Sequence, residues 1–207
     1  ARCPVWEPVV DRVMCGDAET VSAFQETMGY LMLRETNFEK MVGLVGDGEN
    51  GKSTVLKVLK LLVGRSGYSA QPIKTLVRDN GEGAYARAML SGKLINLTNE
   101  LSPTSLEADA FKDLISGEDI VARRIYGDPF TLATVPKQIV AMNSTEALIR
   151  EKTHGFERRL HLIPFNYRLR DEHKDDRLFE KLEAELPGIL NWVLEGARRV
   201  TENKKLS

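Results

Sequence analysis

Apolar positions recur at helical spacing near the start of the chain, give way to short unbroken runs in the middle, and return to helical spacing at the end. Trp6, Val9, Val10, Val13 and Met14 mark a first amphipathic helix, which Gly16-Asp17 breaks. Val21, Phe24, Met28, Leu31 and Met32 mark a second, from about Glu19 to Leu33. At Lys40-Met41-Val42-Gly43-Leu44-Val45 the period is lost, and a short apolar run of this kind suits a strand buried on both faces. A glycine-rich turn and an amphipathic helix from Ser53 to about Val63 follow. Leu94-Ile95-Asn96-Leu97, Gln138 to Met142 and Leu160 to Ile163 read as further buried strands, with a helix-favouring stretch at Ala84–Leu90 between the first two.

Strands that alternate with helices predict an α/β fold around a mainly parallel sheet. The expected organisation is an N-terminal helical segment over 1–38, a core over 39–168 and a C-terminal helical segment over 169–207. In the last, Leu178, Leu182, Leu186, Ile189, Leu190, Val193 and Leu194 suit a packed face interrupted at Pro187-Gly188, and Trp192 is expected in the core. Arg198, Arg199, Lys204 and Lys205 read as solvated.

Composition narrows the class without naming it. A hydrophobic fraction of 42% is enough for a real core, and no run approaches the roughly 20 apolar residues of a membrane span. A cytoplasmic setting, the cytoplasm or nucleoid of a bacterial host, is expected. The opening Ala1-Arg2 reads as the start of an excised piece. Cys3 and Cys15 fit no zinc spacing, and the three histidines are scattered, so no metal site built from side chains is expected. The net charge of −1 means that any grip on nucleic acid must come from a local cluster.

The strongest chemical signal is Gly46-Asp47-Gly48-Glu49-Asn50-Gly51-Lys52-Ser53, followed by Thr54. It matches GxxxxGK[ST] and stands where that motif must, after a buried strand and at the start of a helix. The glycines let successive N–H groups turn inward toward phosphate oxygens. Lys52 supplies a point charge for the β- and γ-phosphates, Ser53 a hydroxyl for Mg²⁺, and the helix its positive end. ATP with Mg²⁺ is therefore expected. A P-loop ATPase also takes an acid from the end of a neighbouring strand, and Glu100, after Leu94–Thr98, is the candidate to orient the attacking water. Asn99 stands where an aspartate is usual, so contact of Glu100 with the metal is expected to be indirect, with Asn99 or Thr98 helping.

Together with this loop, the segments Gln138–Asn143, Phe156-Glu157-Arg158-Arg159 through Phe165, and Glu185-Leu186-Pro187-Gly188 through Gly196 resemble the superfamily 3 helicase domains of phage and plasmid primase-helicases, relatives of the poxvirus primase-helicase. Cys3-Pro4-x-Trp6 and Gly29-Tyr30 extend the resemblance over nearly the whole chain. It implies an AAA+-like core with a five-stranded sheet, assembled as a hexameric ring with nucleotide at the subunit interfaces. A primase part in the same full-length chain is implied as well. Asn143 matches the polar sensor of the γ-phosphate. Arg159, and after it Arg158, match the position from which one subunit completes its neighbour's site.

Ile120–Tyr126 and Phe130–Thr134 bracket Gly127-Asp128-Pro129 and read as a β-hairpin. In the family that it resembles, a hairpin before the sensor strand projects into the ring channel and tracks single-stranded DNA. Arg123 and Arg124 would contact phosphates, Tyr126 would stack on a base or support the hairpin, and Lys112 would add a contact. Rival readings are a ring that loads or remodels DNA at an origin without unwinding it, a small-molecule kinase, and a module whose nucleotide controls assembly.

Overall fold

The computed structural model describes residues 1–34, 38–98, 109–133, 135–143, 157–170 and 174–206. Its centre is the expected α/β arrangement: a five-stranded, mainly parallel sheet with helices before and after it. The strands are β1 (Met41–Val45), β2 (Tyr68–Ser69), β3 (Ile95–Thr98), β6 (Lys137–Met142) and β7 (Leu160–Pro164), in the order β2-β3-β6-β1-β7. A two-stranded antiparallel sheet, β4 (Ile120–Arg123) with β5 (Pro129–Leu132), is the expected hairpin. No helix among the described residues is long and apolar enough to cross a membrane.

By contacts the chain forms two compact units. One comprises Ala1–Leu33, Leu44–Arg65 and Ile163–Ser207; the other comprises Arg34–Gly43 and Ser66–Leu162.

In the first unit, α1 (Trp6–Val13), α2 (Ala18–Met32), α7 (Leu178–Ala184) and α8 (Leu186–Asn203) accompany the helix α3 (Lys52–Gly67), which kinks at Gly64. Helices α2 and α8 approach until backbone meets backbone. A Cβ at Gly29 would lie 2.1 Å from Ala197 N, and one at Gly196 would lie 2.1 Å from Gln25 O. Only glycine permits that crossing at either position. Trp6, Phe24, Phe165 and Trp192 form an aromatic cluster, with Trp6 edge-on to Trp192 at 5.7 Å and Phe24 edge-on to Phe165 at 6.0 Å. The Glu185 carboxylate accepts from the Val5 and Trp6 N–H groups at 3.0 Å, satisfying orphan donors at the positive end of α1.

Three expectations for the C-terminal segment change. The interruption falls at Glu185, between α7 and α8, and not at Pro187-Gly188; proline sits in the first turn of α8, where its missing N–H costs nothing. Leu190 and Leu194 are exposed, and Trp192 is only partly buried, because α8 turns a narrower stripe inward through Ile189, Val193, Ala197 and Val200. Arg199 is not simply solvated: it pairs with the buried Glu26 at 3.1 Å.

In the second unit, β2, β3 and β6 are parallel, with Ile95 opposite Tyr68 on one side and Lys137 on the other. The run read as apolar contains a polar centre. Asn96, fully buried, accepts from Ser69 Oγ and Gln71 N at 2.8 Å and donates to Gln71 O at 2.9 Å and Gln138 Oε1 at 2.8 Å. Both capacities of its oxygen and both of its nitrogen are used, so the network joins three strands without an orphaned group. The helices α4 (Ile73–Leu76), α5 (Gly81–Ala88) and α6 (Asp109–Ser116) complete this unit, and Gly117 ends α6 in the left-handed conformation expected of a glycine stop.

Candidate functional site

The glycine-rich segment forms a tight curl between β1 and α3. Gly48 (φ 44°), Glu49 (φ 47°) and Gly51 (φ 90°) all take left-handed backbone conformations. Such a turn points successive N–H groups to one side, the requirement for wrapping an anion. Glycine at 48 and 51 carries little steric cost, whereas Glu49 adopts the same region with a side chain attached. Gly46 is required for a different reason, since a Cβ there would lie 2.2 Å from the Phe165 carbonyl oxygen.

Two buried polar side chains hold the curl. Asn50 donates through Nδ2 to Phe165 O at 3.0 Å and accepts from the Lys52 ammonium at 3.0 Å through Oδ1. Lys52 Nζ also donates to Gly46 O, and Leu169 N donates to Glu49 O at 2.8 Å. Asn50, read from the sequence only as a variable position of the motif, thus fastens the loop to the chain beyond β7 and positions Lys52. Burial pushes the Lys52 ammonium below its ordinary range, and Asp47 opposes that shift. Lys52 begins α3, and Ser53 beside it is exposed at the same helix end, with Thr54 half-buried and Asp47 exposed.

The remaining candidates lie in the second unit. Asn143 is exposed directly after the carboxyl end of β6, and Thr98 closes β3. Asn99 and Glu100 lie outside the described residues, so the proposed acid has no structural account here. The two arginines differ. Arg158 has a side chain 65% exposed, whereas that of Arg159 is 10% exposed and donates to Ser116 Oγ at 3.1 Å. Both approach Glu39, at 3.5 and 3.6 Å. Among the described residues, no cluster of three or more His, Cys, Asp or Glu side chains would hold a metal ion.

The hairpin presents its chemistry outward. Ala122 and Leu132 face inward, while Val121, Arg123 and Arg124 are exposed. Tyr126 at the turn is wholly exposed and left-handed (φ 58°), a position where glycine or asparagine would be easier. Arg123 Nε donates to Gly127 O at 2.9 Å, and the Arg124 guanidinium lies over the Phe130 ring at 5.5 Å. Arg87, which the sequence reading passed over, anchors the base of the hairpin. Its guanidinium donates to Val121 O at 2.6 Å, Leu76 O at 2.8 Å and Arg78 O at 2.9 Å. Lys112 is exposed on α6.

The chain belongs to a family of unknown function, DUF5906, whose model matches residues 44–159. That span runs from the end of β1, through the glycine-rich curl and the hairpin, to Arg159. Two solved structures of the NrS-1 C-terminal region, both apo, are similar in fold. One superposes with a TM-score of 0.72 at 16% identity over 94% of this chain and 45% of the other. The second, spanning 305–718, gives 0.73 at 15% identity over 99% of this chain and 52% of the other. The JCV helicase bound to a thiazolopyridinyl-phenoxyphenyl acetamide gives 0.54 at 12% identity, over 98% of this chain and 62% of that one. This chain therefore spans about half the length of the NrS-1 chains that it matches, and what it shares with them is the fold.

Proposed function

We propose that this chain is the ATP-hydrolysing motor domain of a phage- or plasmid-type replication helicase, acting as a hexameric ring that moves single-stranded DNA through its channel. The observation that carries the reading is the curl from Gly46 to Ser53. It combines three left-handed residues, a buried lysine held by the loop itself, and a helix that starts at that lysine. These are the parts that an anion as large as a triphosphate needs. The fold that the chain shares with the JCV helicase and the NrS-1 C-terminal region supports the motor part of the proposal.

In this reading the loop N–H groups and the positive end of α3 bind the phosphates, and Lys52 exchanges its loop acceptors for phosphate oxygens. The exposed Ser53 hydroxyl would help to hold a Mg²⁺ ion, which would supply charge neutralisation for the phosphates. Glu100 orients the attacking water and Asn143 senses the γ-phosphate. A cation from a neighbouring subunit meets charge that develops in the transition state. Exposure favours Arg158 for that reach, since Arg159 is engaged with Ser116 and Glu39 of its own chain. Arg123, Arg124 and Tyr126 on the hairpin, with Lys112 on α6, grip the DNA backbone and a base.

The deciding experiment is steady-state ATP hydrolysis with and without single-stranded DNA, with the oligomer mass measured at the same concentrations. A hexamer stimulated by DNA is the expected result. A hexamer that does not hydrolyse ATP, or hydrolyses it with no response to DNA, overturns the motor reading. Mixing Arg158→Ala with Lys52→Ala subunits should restore activity that neither has alone, and mixed rings without rescue would remove Arg158 from the neighbour's site.

A further inference from the structure

The second unit carries a basic site of its own, built from residues outside the glycine-rich loop. A cleft of about 330 Å³ opens at the amino ends of β3 and β6, where Lys137 N donates to Leu94 O at 3.1 Å. Four cationic residues line it, Arg34, Lys93, Arg124 and Lys137, together with the half-buried ring of Phe130. None of the described residues that line it is acidic. Ser91 and Thr131 add hydroxyls, and Leu94, Leu132 and Pro136 are among the apolar residues of the wall. Asn143, at the opposite end of β6, is about 20 Å away by strand length. The cleft is thus separate from the strand ends that carry the sensor residue.

Two properties identify the ligand. Arg34, Lys93 and Arg124, exposed or half-buried, bring three like charges together at one small cleft, where an anion eases their repulsion, and 330 Å³ is at the small end of the roughly 300–1,000 Å³ of ligand pockets. Among the described residues the wall offers cations and hydroxyls but no amide or carboxylate side chain, which suits a repeating, sequence-independent anion. The Arg124 guanidinium lies over the Phe130 ring at 5.5 Å, a contact that keeps the cation at the cleft. Arg124 also belongs to the hairpin turn, so the cleft continues from the hairpin. We propose that this cleft is a second phosphodiester subsite, taking the backbone of a single nucleic-acid strand as it passes the hairpin. The inference rests on the DNA-binding part of the function proposed above.

Lys93 and Arg34 test it without touching the hairpin. Lys93 Nζ donates to Ser66 O at 3.0 Å, so Lys93→Gln keeps a donor while removing the charge. Arg34→Gln joins it in a double variant. The probe is a fluorescent oligothymidylate, its affinity for the whole chain followed against salt concentration by anisotropy, with unfolding midpoints matched. Each lost phosphate contact lowers the slope of log affinity against log salt by about 0.7, so the double variant should lose about 1.4. Lys93→Arg should restore the Lys93 share. A wild type that binds with an unchanged slope in the double variant overturns the cleft and leaves the hairpin reading standing. A wild type that does not bind the oligonucleotide overturns the DNA reading and the cleft with it.

Discussion

The curl at Gly46–Ser53 and the turn of the β4–β5 hairpin both hold left-handed residues that are not glycine, yet they hold them in opposite ways. Glu49 belongs to a loop tied down on several sides, by Asn50 to Phe165, by Lys52 to Gly46, and by Leu169 to Glu49 itself. Tyr126 stands at full exposure, with only the turn to hold it. In the first case backbone strain is repaid by buried hydrogen bonds. In the second only the hydrogen bonds of the turn itself offset it among the described residues, between Gly127 and Arg124 and between Arg123 and Gly127. The curl is fastened from inside, by its own buried side chains, whereas the exposed hairpin is fastened at its base, by Arg87.

The largest test of that contrast is Lys52→Ala. Removing the charge should lower ATP hydrolysis by on the order of 10²–10³-fold and weaken ATP binding. Turnover at the wild-type level would mean that the curl is a structural turn and not a phosphate site. Gly46→Ala probes the fastening itself. Its Cβ would meet Phe165 O at 2.2 Å, so the strand or the loop must shift, and a loss of about 1–3 kcal/mol of stability is expected by denaturant unfolding. An unchanged midpoint would show that the loop is not held against the chain after β7.

On the hairpin, the double variant Arg123→Ala, Arg124→Ala should weaken oligothymidylate binding and lower its salt slope by about 1.4, the loss of two phosphate contacts. A slope unaltered by the pair would make these arginines solvated surface. The same change at Arg87 should act differently. Arg87→Ala leaves three carbonyls without their donor and should cost about 1–3 kcal/mol in stability before any effect on DNA is read. Burial pulls the Arg87 guanidinium below its ordinary range, with Asp79 opposing.

What could be read in advance follows the same division. The glycine-rich curl was legible because its residues are contiguous and their spacing is dictated by backbone geometry, and the hairpin because two β-favouring runs flank a turn. The Asn96 network was not, since its partners come from Ser69, Gln71 and Gln138, on segments that only the sheet brings together. The strand β2 has two residues, too few for a period to register. Asn50 and Arg87 escaped for a shared reason: each bonds to carbonyls far along the chain, and carbonyls carry no sequence signature. The exposed Leu190 and Leu194 show the reverse error, in which apolar spacing on α8 overstates the buried stripe.

The smallest expected effect separates the two regions most sharply. Tyr126→Gly removes a side chain that packs against nothing and relieves a left-handed strain of about 1–2 kcal/mol. Glycine also adds freedom to the unfolded chain, which takes back about 0.5–1 kcal/mol. The net should be a gain of about 0.5 kcal/mol, a rise of about 1–2 °C in the unfolding midpoint for a domain of this size. Affinity for single-stranded DNA should fall in the same variant by about 1–3 kcal/mol, the worth of one stacked base. Stability rising while binding falls is what a tip held for an outside partner must show. A midpoint that drops by as much would mean that Tyr126 is held by the fold, and the contrast with Glu49 would be lost.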